Sequence, residues 1–203
     1  MIPLSELQQD ALTEIFNVGA GQAASSLSEI VGDEVLLSVP RIKFYHRSEV
    51  NADILSLSGG RLGAVRQSFG GPFSLDATLL FREEKALEIV QEMLGSQVSV
   101  EDLVDFEHEA MCELGNVILN ACLSAIADML NVDLSSTLPE YSVDGADSVI
   151  DKLMSDETQP VVLVLHIDLT IEKRDTQGFL VFLLSASSLE GLVGALDLFL
   201  SRI

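Results

Sequence analysis

The 203 residues include 11 Lys and Arg against 32 Asp and Glu, a formal net charge of −21, and 48% are hydrophobic. That length and apolar share suit a substantial core, while the charge repels nucleic-acid phosphates and anionic lipid, so neither is expected as a partner. No uninterrupted apolar run reaches the roughly 18 residues of a bilayer span, and Met1–Leu12 has no basic region ahead of an apolar stretch; a cytoplasmic location is expected.

The first element is an amphipathic helix over Leu4–Val31, with apolar residues recurring at three and four. Ser5 stands at its start and Gly32 at its end. An extended segment opens at Pro40 and a short helical stretch follows over Glu49–Leu55. Two β-rich segments, Arg61–Phe69 and Ser74–Phe81, flank the turn residues Gly70, Gly71 and Pro72, and a helix closes over Glu83–Leu94. The second half repeats this order. A helix runs over Val104–Leu130 with Asn131 as its terminator, and an extended segment opens at Pro139. Ala146–Met154 is helical, Val161–Ile171 and Gly178–Leu184 are strands about a turn at Asp175–Gly178, and Ser187–Leu200 is the final helix.

The repetition is also literal. A shift of 99 residues aligns Leu7–Ile42 with Phe106–Tyr141 without a gap, matching Ala11 with Ala110, Glu14 with Glu113, Asn17 with Asn116, Ser25 with Ser124 and Pro40 with Pro139. The fold expected is therefore α+β: a pseudo-twofold tandem duplication whose central antiparallel sheet carries two long equivalent helices. No linker rich in Gly, Ser or Pro separates the copies. Residues 1–203 are read as a single domain built from two repeats, about 4–99 and 103–203.

Positions i, i+4, i+7 and i+11 share one helix face. In the first copy that face carries Asp10, Glu14, Asn17 and Gly21; in the second, Glu109, Glu113, Asn116 and Asn120. A single Glu-x-x-Asn in a helix is ordinarily a solvated stripe. Here Glu, Asn and a proline 23 residues after the Asn recur at one offset, while solvated neighbours differ. An acidic face of this kind also suits a partner that exposes a lysine.

These residues resemble the motif of the CheC–CheX–FliY family of chemotaxis phosphatases: Asp or Ser, three residues, Glu, two residues, Asn, 22 residues, Pro. Asp10, Glu14, Asn17 and Pro40 fit it completely. Glu113, Asn116 and Pro139 fit it too, with Glu109 where Asp or Ser is usual. Two copies at this spacing look like the CheC-type members. The resemblance implies hydrolysis of the aspartyl phosphate on a phosphorylated CheY-like receiver. Asn17 and Asn116 would position the attacking water, and Glu14 and Glu113 would pair with the receiver lysine. It implies no cofactor and no metal site of the chain's own, Mg²⁺ being supplied by the receiver. It also admits CheD as a second partner, and a non-catalytic scaffold, flagellar-switch or CheD-binding, as the alternative function.

Other signals are read as structural. Gly19, Gly21 and Ala24 imitate a dinucleotide fingerprint, but mid-helix, where small residues permit close approach. His46, His108 and His166 lack metal-ligand spacing. Cys112 and Cys122 lie about 15 Å apart along one helix, beyond disulfide reach, and are read as small core residues with no cation beside them.

Overall fold

The computed structural model describes residues 4–51, 57, 59–94, 100–155, 160–171 and 174–202. Helix α1, Glu6–Val31, starts where the sequence supplies a cap. The Ser5 hydroxyl accepts from the Gln8 N–H and the Gln8 Oε1 accepts from the Ser5 N–H, satisfying two donors a helix start leaves open. Gly32 ends it at φ 77°, in the left-handed region where a Cβ is costly. Its counterpart Asn131, φ 54°, is the one non-glycine residue with positive φ among the described residues. Helix α3, Val100–Leu130, starts four residues earlier than the periodicity indicates.

The remaining elements are β1, Val35–His46; β2, Arg61–Gly70; β3, Leu75–Arg82; α2, Glu83–Leu94; β4, Ser135–Ser136; β5, Glu140–Gly145; α4, Ala146–Leu153; β6, Val161–Ile171; β7, Arg174–Leu184; and α5, Ala186–Leu200. Most of the Glu49–Leu55 stretch lies outside the described residues; Arg47–Glu49 is a 3₁₀ turn. The turn expected at Asp175–Gly178 is instead strand: these residues pair with Ile167–Thr170. Gly178 is there because β7 passes close to Phe81, whose Cε1 would lie 2.4 Å from an added Cβ.

The strands form one antiparallel sheet in the order β1-β6-β7-β3-β2-β4, with β5 also on β2. Each half contributes a hairpin, β2–β3 and β6–β7, and the two meet where β3 pairs β7. The first strand of each half crosses over: β1 pairs β6 of the second half, and β5 pairs β2 of the first. Pro40 does not open its strand but lies inside β1, where the register shifts between Ser38 and Arg41. The equivalent interruption, 137–139, divides β4 from β5.

On one face of the sheet α1 and α3 pack together, with α2 and α5 beside them. Their apolar stripes and alternate strand residues form the main core, including Leu12, Ile15, Phe16, Met111, Leu114, Ile118, Leu165 and Phe182. Each such side chain fully buried stabilises by about 1.5–3 kcal/mol relative to exposure. The opposite face carries a smaller cluster under α4, with Val149 and Ile150 against Leu62, Val162 and Val181. Gly19 lets the two long helices touch: an added Cβ would lie 2.7 Å from the Cys122 Cα. Phe106–Leu130 is, by length and a mean hydropathy of 1.5, apolar enough to cross a membrane, although no uninterrupted apolar run reaches that length. Its 18-residue window is 56% buried, by α1 and the sheet.

Candidate functional site

Both long helices hold their acidic stripe outward. Asp10, Glu14, Glu109 and Glu113 are exposed, because α1 and α3 turn the intervening Leu12, Ile15, Met111 and Leu114 into the core. Asn17 and Asn116, expected to face solvent, are half-buried. The reason differs between the two copies.

In the first copy that strand is β1. The Asn17 Oδ1 accepts from the Val39 N–H at 3.1 Å, and its Nδ2 donates to the Thr13 carbonyl at 3.0 Å. A backbone donor on one side and a backbone acceptor on the other fix which end of the amide is oxygen. Val39 itself is 1% exposed. It precedes Pro40, and the residue before a proline favours extended backbone. The Asn-to-Pro spacing shared by the two copies has, in this copy, a physical content: it delivers an N–H to the Asn.

The second copy is built differently. The Asn116 Oδ1 accepts from the Asn120 Nδ2 at 2.8 Å, and the same nitrogen reaches the Asn116 carbonyl at 2.8 Å. Leu138, the counterpart of Val39, is 87% exposed. Beside it an open groove of about 850 Å³ brings together Glu109, Glu113, Asn116 and Pro139. Phe106 and Ile30, 48% and 42% exposed, complete its apolar lining, Ile30 reaching in from α1. The four motif residues of this copy thus share one surface feature, an acidic pair and an amide framed by exposed apolar side chains.

Cys112 is not a core residue but half-buried in this groove, with the His108 Nδ1 3.9 Å from its Sγ. Sequence reading missed that neighbour, although the i, i+4 spacing announces it. Burial and the nearby Glu140 raise the Cys112 pKa against the opposing hydrogen bond from the Tyr141 backbone. Cys122 is buried, which pushes its thiol up to about 12. Neither is set up as a nucleophile. Tyr141 donates to Glu107, and burial with that acceptor holds its hydroxyl protonated. Among the described residues no group of three or more His, Cys, Asp or Glu side chains is placed to hold a metal ion.

The fold is a duplicated α+β architecture that presents a Glu and an Asn one turn apart on each long helix. Residues 7–44 match the model of the CheC-like family. The chain is 25% identical over 171 residues, 83% of its length and 81% of the relative's, to the CheY-P phosphatase CheC of Bacillus subtilis. It superposes on Thermotoga maritima FliY with a TM-score of 0.77, at 18% identity over 97% of this chain and 98% of that one. The FliM middle domain of Vibrio alginolyticus shares the fold at a TM-score of 0.63 and 13% identity, over 91% and 99%.

Proposed function

We propose that this protein is a cytoplasmic phosphatase of phosphorylated CheY-like receivers, with one active site on α1 and another on α3. The observation that carries the reading is the α3 groove, where Glu109, Glu113, Asn116 and Pro139 converge beside exposed Phe106 and Leu138. The likeness to a relative that is itself a CheY-P phosphatase supports it.

The chemistry asks little covalent work of the enzyme. A water oxygen attacks phosphorus, the bond from phosphorus to the receiver's carboxylate oxygen breaks, and aspartate and inorganic phosphate leave. Rate comes from in-line placement of that water and from stabilising charge as it spreads. An Asn amide can accept from and donate to water without titrating near neutral pH. In α1 the Asn17 amide is tied at both ends yet keeps one N–H and one lone pair for a water. Glu14 and Glu113, one turn before each Asn, would pair with the receiver lysine. Mg²⁺ would come with the receiver, and the apolar lining of the groove would meet the receiver's own surface. CheD is a further partner that the reading admits.

The test is phosphate release from a phosphorylated CheY-like receiver. Asn17→Ala and Asn116→Ala should each retain the turnover of the other site, with receiver binding preserved, and the double variant should be almost inactive. A folded double variant that works at the unmutated rate would leave a scaffold, such as a flagellar-switch or CheD-binding protein, as the function.

A further inference from the structure

The two asparagines are oriented by different devices, and the second device reaches across the duplication. Gln67, on β2 of the first half, is 2% exposed. Its Nε2 donates to the Thr137 carbonyl at 2.7 Å, which turns its Oε1 toward Asn120; the Asn120 Nδ2 lies 3.4 Å from it. The same Nδ2 donates at 2.8 Å to the Asn116 carbonyl and at 2.8 Å to the Asn116 Oδ1. Two backbone carbonyls, Thr137 and Asn116, thereby fix the donor sense of the whole chain, and no amide in it can flip without setting an N–H against an N–H or an oxygen against an oxygen. The Asn116 Oδ1 is held against Asn120, and among the described residues no partner takes the Asn116 Nδ2, which is left for the groove.

The α1 site has neither member. The 99-residue offset places Gly21 where Asn120 stands, and strand pairing places Ile167 where Gln67 stands: Arg66 faces Glu140 as His166 faces Arg41. Both polar residues are present together at the α3 site and absent together from the α1 site, where the Val39 N–H does the orienting.

We infer that Asn120, held by Gln67, is the positioning residue of the α3 site, locking the Asn116 amide with its NH₂ toward the attacking water. This rests on the phosphatase reading of Asn116. The lock touches neither receiver nor phosphate, so losing it should lower kcat and leave KM for the receiver unchanged. Letting the Asn116 amide sample its flipped state should cost roughly tenfold in rate, the factor that about 1.4 kcal/mol represents.

The experiment measures kcat and KM for phosphate release in the full chain carrying Asn17→Ala, so that only the α3 site turns over. Asn120→Ala, which favours the helix, is added to this background. Gln67→Leu, which imitates Ile167, is the second variant, with a melting curve for each. The expected result is a kcat about tenfold lower for Asn120→Ala and a smaller loss for Gln67→Leu, both at constant KM. Full kcat in both, with Asn17→Ala/Asn116→Ala inactive, overturns the lock and leaves the active site standing. Full activity of Asn17→Ala/Asn116→Ala overturns the site itself. A rise in KM at constant kcat also overturns the lock, since Asn120 would then serve docking.

Discussion

Asn17 and Asn116 occupy equivalent positions, yet removing them should cost the fold differently. The sequence alone makes both look like solvent-facing residues for which Ala is harmless. In the structure, Asn17→Ala strands the Val39 N–H, on a residue 1% exposed, without its acceptor. An unsatisfied buried donor costs about 1–3 kcal/mol, so the melting midpoint should fall by several degrees. Asn116→Ala leaves Asn120 its bonds to the Asn116 carbonyl and Gln67, and its cost should stay within about 0.5 kcal/mol, the range of ordinary surface changes. Urea unfolding of the two single variants decides this; equal midpoints would mean that Asn17 does not hold β1. Activity losses at the first site must accordingly be corrected for the folded fraction, whereas those at the second need no such correction.

The helix pair offers a paired test of its own. Gly19→Ala would put a Cβ 2.7 Å from the Cys122 Cα and 3.0 Å from the Ala121 carbonyl oxygen, both backbone atoms that cannot rotate away. Overpacking of this kind costs about 1–3 kcal/mol. Gly21, two residues on, has nothing within 4 Å of an added Cβ, so Gly21→Ala should stabilise by up to about 1 kcal/mol through helix propensity. Opposite shifts in thermal midpoint are expected; a stabilising Gly19→Ala would contradict the close crossing. The small residues in α1 were legible as marks of close approach, but not which one makes it, because the crossing point is a tertiary fact. The same limit explains other misses. Ser5, Gly32 and Asn131 act within one turn of the helix they bound, and their roles could be read locally. Gly178 resembled a turn residue because a strand glycine and a turn glycine differ only in what lies across the sheet, here Phe81. Asn120 was placed on the right face, while its partner Gln67 lies 53 residues away and left no local signal. The Glu/Asn stripes could be found because a duplication supplied its own comparison.

At the scale of the molecule, the crossed strands make the halves interdependent. β1 finds its partner in β6 and β5 finds its partner in β2. Gln8 of α1 donates to the Asp197 carboxylate of α5 at 2.6 Å. Residues 1–99 alone would leave β1 unpaired, and residues 100–203 alone would leave β5 unpaired. Neither fragment should unfold cooperatively by itself, and mixing the two should restore a cooperative transition; a cooperative melt of either fragment alone would refute the interdependence. The exchange of first strands is the architecture of a domain-swapped dimer written into one polypeptide. In a dimer of identical subunits every substitution is made twice, so a change that improves one catalytic centre is imposed on the other. Covalent fusion lifts that constraint. Gly21 and Ile167 at one site, and Asn120 and Gln67 at the other, are differences that an exact twofold axis would forbid.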